Sequence, residues 1–203
     1  MKVLLIGEFR EGKVLDTTWE LFGYASKAGA DPVLFLVGDP ANPPACGAKV
    51  LLADRSKAAE YNPDLHRKLV LDAVAAEAPD QVVFCHSSYG WDLAPRVASA
   101  LGAAQVSEVI GLSESGFEVG SCNAKMRRLV KPSTAKVVVT IQGGAFPAAK
   151  PEGGPTVTIM AGDAASRVEF LGYDPPEKKD VDLAKAEIIV SAGRGIGKKD
   201  NVA

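Results

Sequence analysis

Three uninterrupted apolar runs, Val3–Ile6, Val33–Val37 and Val82–Cys85, stand out along the first half of the chain. They are too short for helices and suit strands covered on both faces. Lys49–Ala53 predicts a further short strand. Between these runs the apolar residues recur at helical spacing. Thr18, Leu21, Phe22, Ala25 and Ala28 form one stripe, opened by the cap oxygens of Asp16-Thr17-Thr18 and closed by Gly29. Leu65, Leu69, Val70, Ala73 and Val74 form a second, which starts at Asn62-Pro63-Asp64 and stops before Pro79. Leu93, Ala94, Val97, Ala98 and Leu101 form a third, closed by Gly102. Strands alternating with helices predict an α/β fold: a mostly parallel open sheet with helices on both faces, Rossmann-like or nucleotide-hydrolase-like.

From about Gln105 the rhythm changes. Phe117–Gly120, Ala124–Val130, Val137–Ile141 and Val157–Met160 read as strands with little helix between them, which predicts antiparallel or edge strands appended to the parallel core. The proline-rich stretch Gly38–Gly47 predicts a loop, and Gly143–Pro155 a mobile one. Tyr173–Asp182 holds two prolines and six charges and predicts a linker. Ile188 onward restarts a strand-and-loop pattern. The expected division is therefore an α/β domain over residues 1–180 and the opening of another over 181–203.

Composition narrows the classes. The chain has 203 residues, 47% of them apolar and 24% charged, with a formal charge of −2. That is one well-packed domain with some excess, and it carries no basic footprint for nucleic acid. No apolar stretch reaches 18 residues, so membrane insertion is not expected. The apolar run near Met1 is too short for a signal peptide. Cys46, Cys85 and Cys122 are dispersed, which fits reduced thiols and a cytoplasmic protein.

Few residues suggest chemistry. Cys85-His86-Ser87-Ser88-Tyr89-Gly90 follows a strand and precedes a helix, where open α/β sheets bind ligands. Neighbours on a strand point to opposite faces, so Cys85 and His86 make a poor nucleophile–base pair. The segment reads chiefly as a polar loop capping a helix, with a hydrolase using Ser88 or Cys85 as a remote alternative. His66 reads as a surface or hydrogen-bonded helix residue, and two histidines with scattered cysteines argue against a metal. Gly7–Lys13 lacks a phosphate loop and reads as a surface turn. Met126–Lys131 gathers positive charge, best read as solvated residues on an edge strand rather than an anion site. Finally Ile188–Gly197 runs from an apolar strand into a loop with Gly193, Arg194, Gly195 and Gly197. Such a loop offers close backbone approach and a cation to a pyrophosphate or a reduced flavin. A frayed terminus explains the same composition equally well.

Several segments in order carry a resemblance: Val3–Glu8 at the start, His86-Ser87-Ser88-Tyr89-Gly90-Trp91-Asp92-Leu93-Ala94-Pro95-Arg96-Val97-Ala98 in the middle, then Gln105–Ile110, Asn123-Ala124-Lys125 and Ile189–Gly195. Together these resemble the alpha subunit of electron-transfer flavoproteins. The resemblance implies a heterodimer in which the N-terminal α/β domain packs on a beta subunit and a separate domain holds FAD. It implies an electron carrier rather than an enzyme, taking electrons from acyl-CoA or related dehydrogenases and passing them to a downstream, quinone-reductase-type acceptor. Arg194 matches the arginine that contacts FAD in that family, and Gly193 and Gly195 match its flanking glycines. The family's other flavin motifs lie past Ala203. The expectation is thus a truncated FAD domain that binds FAD weakly or not at all, leaving subunit assembly as the role. The alternative is a small nucleotide-binding α/β module using the loops after its first and fourth strands.

Overall fold

A computed structural model describes residues 1–58, 60–161, 166–174, 188–198 and 201. In chain order its elements are β1 (Lys2–Ile6), β2 (Phe9–Arg10), β3 (Lys13–Val14), α1 (Thr17–Lys27), β4 (Asp31–Gly38), β5 (Lys49–Asp54), α2 (Arg55–Ala58) and α3 (Pro63–Glu77). They continue with β6 (Gln81–Cys85), α4 (Ser88–Leu101), β7 (Ala104–Ser113), β8 (Gly116–Ser121), β9 (Met126–Val130), β10 (Val137–Ile141) and β11 (Thr156–Met160). One nine-stranded sheet runs in the order β11-β5-β4-β1-β6-β10-β7-β8-β9, and β2 and β3 form a separate hairpin. Pairing is parallel from β11 across to β7 and antiparallel through β8 and β9.

The apolar runs explain the layers. Alternate residues of each buried strand point to opposite faces. Val3, Leu5, Leu34, Leu36, Val83 and Val139 pack with Leu21, Phe22, Tyr24 and Ala25 of α1. Leu4, Ile6, Phe35, Val82, Phe84 and Val138 pack with Leu69, Val70 and Ala73 of α3 and Leu93, Ala94 and Val97 of α4. Burying one such aliphatic side chain is worth about 1.5–3 kcal/mol, so these two clusters are the principal drive for folding.

The helix ends follow their cap residues, with one exception. The Leu65 amide donates to Asn62 Oδ1 at 3.1 Å, and Pro63 fills the first helical position of α3. Gly29 and Gly102 take positive φ after α1 and α4, as expected. Asp16 does not cap α1: it is itself helical, and its side chain makes no cap bond.

Val137–Ile141 is not an appended antiparallel or edge strand. β10 lies between β6 and β7, parallel to both, with every residue buried. The chain leaves the core through β8 and β9 and returns to fill the centre, and the unbroken apolar run of β10 is the pattern a strand buried on both faces requires. β11 is an edge strand, as expected, and runs parallel to β5. β7 went unanticipated because its mixed sequence serves two ladders: parallel to β10 first, then antiparallel to β8 beyond an irregularity near Glu108, whose φ is +55°.

The stretch expected to be a mobile loop is packed down at several points. Phe146 is buried, the Gly144 amide donates to Glu20 Oε2 at 2.7 Å, and the Ala149 amide donates to the Trp19 carbonyl at 3.0 Å. A Cβ on Gly23 would sit 1.9 Å from the Pro147 carbonyl oxygen, so only glycine lets this segment lie against α1.

The chain divides into two compact units, Met1–Phe170 and Leu171–Ala203. Most of the expected linker at 173–182 lies outside the described residues. In the second unit Ile188, Ile189 and Val190 are exposed and in no strand. A strand exists only by sharing a ladder, and no described neighbour provides one here. Among the described residues no helix is long and apolar enough to cross a membrane.

Candidate functional site

The sheet order reverses direction between β1 and β6, since β1 leads through α1 to β4 on one side while β6 leads through α4 to β7 on the other. The crevice beyond the carboxyl ends of these two strands is where an open α/β fold places a ligand. Here it is filled by the protein's own side chains. The Ser87 hydroxyl donates to Glu8 Oε1 at 2.5 Å and accepts the Gly90 amide at 3.1 Å, capping α4. The Glu8 amide in turn donates to Thr18 Oγ1 at 3.1 Å. Glu8 is buried, which raises its pKa, and the Ser87 hydrogen bond opposes that rise. Glycine allows the tight fit, because a Cβ on Gly90 would lie 1.9 Å from the Cys85 carbonyl oxygen.

A helix N-terminus is an attractive seat for phosphate, but this one already holds a carboxylate. Two like charges about 4 Å apart repel by roughly 4 kcal/mol at an effective dielectric near 20. A protonated Glu8 removes the repulsion yet still fills the space. An ionised Glu8 thus opposes an anion at this helix N-terminus.

Cys85 and His86 diverge, as their positions on a strand demand. The Cys85 thiol donates to the Thr17 carbonyl at 3.2 Å, and burial pushes its pKa up to about 12. A thiol so held stays protonated at neutral pH and is a poor nucleophile. His86 turns toward β10, with Nδ1 2.8 Å from Thr140 Oγ1. The same oxygen accepts the Glu108 amide at 3.0 Å. His86 Nε2 lies 3.6 Å from Glu108 Oε1, with the Trp91 ring edge-on to the imidazole. Of the two serines, Ser87 rather than Ser88 is engaged with the carboxylate, and the structure brings neither Cys85 nor Ser88 onto His86.

His66 is not a surface residue. It is 1% exposed, with Nδ1 3.2 Å from the Tyr89 hydroxyl and the Tyr61 and Tyr89 rings edge-on to it. Burial lowers its pKa to about 4, weakly opposed by the Ala58 carbonyl, and Nε2 is buried without a well-formed hydrogen bond. Its spacing to Leu69, Val70 and Ala73 puts it on the apolar stripe, a signal that was present in the sequence. Among the described residues no group of three or more His, Cys, Asp or Glu side chains is placed to hold a metal ion.

Gly193, Arg194 and Gly195 lie in a short exposed 3₁₀ turn, Arg194–Ile196, closed by the Gly197 amide donating to the Arg194 carbonyl at 3.2 Å. The Asn201 side-chain amide donates to the Ile196 carbonyl at 2.7 Å. A Cβ on Gly193 or Gly195 would meet nothing within 4 Å. These residues therefore offer a cation and approachable backbone but, among the described residues, no wall against a ring system. By themselves they do not fit an enclosed flavin pocket.

The sequence profile of the electron transfer flavoprotein domain matches residues 3–166. The chain is 27% identical over 214 residues to the electron transfer flavoprotein subunit alpha of Bacillus subtilis, covering 98% of this chain and 66% of that protein. It is 29% identical over 217 residues to the subunit alpha of Methylophilus methylotrophus, covering 99% and 68%. With the subunit alpha of Bradyrhizobium diazoefficiens it shares 32% identity over 211 residues, covering 100% and 67%. The chain thus spans about two thirds of the length of these relatives.

Proposed function

The chain belongs to the electron transfer flavoprotein family, and on that premise we propose that it is the alpha-subunit part of a heterodimeric electron carrier whose α/β unit docks a beta subunit. The intact carrier takes electrons from dehydrogenases and passes them through FAD to a quinone-reductase-type acceptor, in the cytoplasm. The observation that carries this reading is the match over residues 3–166, which coincides with the unit Met1–Phe170. The filled crevice and the buried, protonated Cys85 thiol support a platform rather than a catalyst.

FAD supplies the redox chemistry in such a carrier. In this proposal Gly193, Arg194 and Gly195 are its contacts, with the guanidinium facing the anionic part of the cofactor. Because they enclose no ring, the expected affinity of this chain alone for FAD is weak or nil. The test is co-expression with the beta subunit of the same organism, followed by light scattering and a visible absorption spectrum. A 1:1 complex supports the docking role, and two non-interacting proteins overturn it. A yellow chain purified alone overturns the expectation about FAD. The competing reading, a nucleotide-binding module, predicts thermal stabilisation by AMP or ATP. Glu8 beside the capped α4 opposes it, and a flat response is expected.

A further inference from the structure

β11 ends the main sheet beyond β5, and among the described residues no strand pairs with its outer side. Its sequence, Thr156-Val157-Thr158-Ile159-Met160, is rich in β-branched residues and holds no charge and no proline. It keeps unbroken register with β5, from Thr156 opposite Lys49 to Met160 opposite Ala53. Thr156 and Thr158 are exposed, and Ile159 is 54% exposed. Unpaired main-chain groups on such an edge are a template for another strand, so edges are commonly guarded by charge, proline or a bulge. β11 carries none of the three.

The register identifies the unpaired groups. In a parallel ladder each residue of an edge strand directs its N–H and its C=O to the same side, and successive residues alternate. The Thr156 amide donates to the Ala48 carbonyl at 3.1 Å, so Thr156, Thr158 and Met160 bond inward to β5. Val157 and Ile159 therefore turn their main-chain groups outward, and these two positions are symmetric about Thr158. Laid antiparallel on a second copy, Val157 of each strand meets Ile159 of the other, each pair exchanging both of its N–H···O bonds. Thr158 meets Thr158 at the centre as a closely spaced pair. Val157 and Ile159 share a face of the sheet, so an apolar β-branched side chain stands opposite another and a threonine opposite a threonine. Both kinds of pair stabilise antiparallel strands. A foreign segment finds no charge on β11 to select it, whereas a second copy finds its own pattern reversed. Joining β11 to the far edge at β9 would add copies without end, but a twofold pairing closes on itself.

We propose that β11 is a self-association edge, on which two copies of this chain pair antiparallel about Thr158 and join their sheets across a twofold axis. This contact is separate from the docking of a beta subunit and stands or falls without it.

The test is analytical ultracentrifugation of the full chain over a wide concentration range, paired with hydrogen–deuterium exchange. A monomer–dimer equilibrium is expected, with the Val157 and Ile159 amides exchanging more slowly as the dimer fills. Thr158→Lys and Thr158→Glu each set like charges opposite one another on the axis, and each is expected to weaken association at least about tenfold. Mixed in equal amounts they set a cation against an anion, and the dimer is expected to return. Thr158 is exposed, so circular dichroism should show both variants folded; if either is not, exchange at Val157 and Ile159 in the parent decides the question. A chain that stays monomeric at every concentration overturns the inference. A dimer that both variants leave intact, or that protects other amides instead, also overturns it. A mixture that remains monomeric overturns the pairing about Thr158.

Discussion

His66 gives the sharpest test of how this interior is built. In the unfolded chain its imidazole takes a proton near 6.5, while in the fold burial delays that to about 4. Between those values the unfolded state binds more protons, so stability falls as pH drops through that window. Above about pH 6.5 the group is neutral in both states and the contribution is fully present, and below about 4 it is fully lost. At about 1.4 kcal/mol per pH unit the gap is worth roughly 3 kcal/mol, a large share of the roughly 5–15 kcal/mol a domain of this kind has. The assay is urea unfolding of the parent and of His66→Leu at a series of pH values from about 7.5 to 4.5. Leucine cannot titrate, and carboxylates elsewhere affect both proteins alike, so the difference isolates the imidazole. The parent is expected to lose stability relative to the variant as pH falls. Parallel curves across the whole range would show that His66 takes its proton in the fold as easily as in water, and the packing argument would fail.

Other expectations follow from the same geometry. Glu8 has a raised pKa, so its contribution favours the fold below about 4.5 and is lost as pH rises; Glu8→Gln should therefore raise Tm at neutral pH, and a drop in Tm would show that the Ser87 bond outweighs desolvation. Gly23→Ala sets a Cβ against the Pro147 carbonyl and should cost about 3 kcal/mol or prevent folding, read by chemical denaturation. Under native conditions a maleimide should label exposed Cys122 rapidly and spare Cys85 and Cys46, both buried, as mass spectrometry of peptides would report.

Much of this architecture was legible because local signals agreed with their surroundings. Val3–Ile6 and Val82–Cys85 could be little but buried strands, and Asn62, Gly29 and Gly102 mark helix ends through chemistry within a few residues of each. What escaped depends on partners far along the chain. β10 looked like one more peripheral strand until its neighbours β6 and β7 were known. β7 alternates poorly because its two halves answer to different ladders. Glu8 and Ser87 lie 79 positions apart, and neither suggests the other. Asp16 failed as a cap because the first turn was already closed by main-chain bonds from Thr18 to Leu15 and from Trp19 to Asp16. At the tail, Arg194 and Gly195 stand in an exposed turn that Gly193 opens, and among the described residues nothing meets a Cβ placed on either glycine.

A desolvated carboxylate is an expensive way to fill a crevice. A hydrophobic side chain would seal the same gap without a charge to desolvate, and a lysine or arginine beside Glu8 would hold it better than a neutral hydroxyl does. What the Glu8–Ser87 pair accomplishes that an apolar plug would not is twofold: it satisfies the first turn of α4, and it puts negative charge where a phosphate would otherwise settle. Restoring the pocket is therefore an informative perturbation: Glu8→Ala should permit inorganic phosphate or AMP to stabilise the chain thermally, read as a ligand-dependent rise in Tm that the parent does not show. If the variant still ignores phosphate, the exclusion lies in the close packing around Gly7 and Gly90 rather than in the carboxylate.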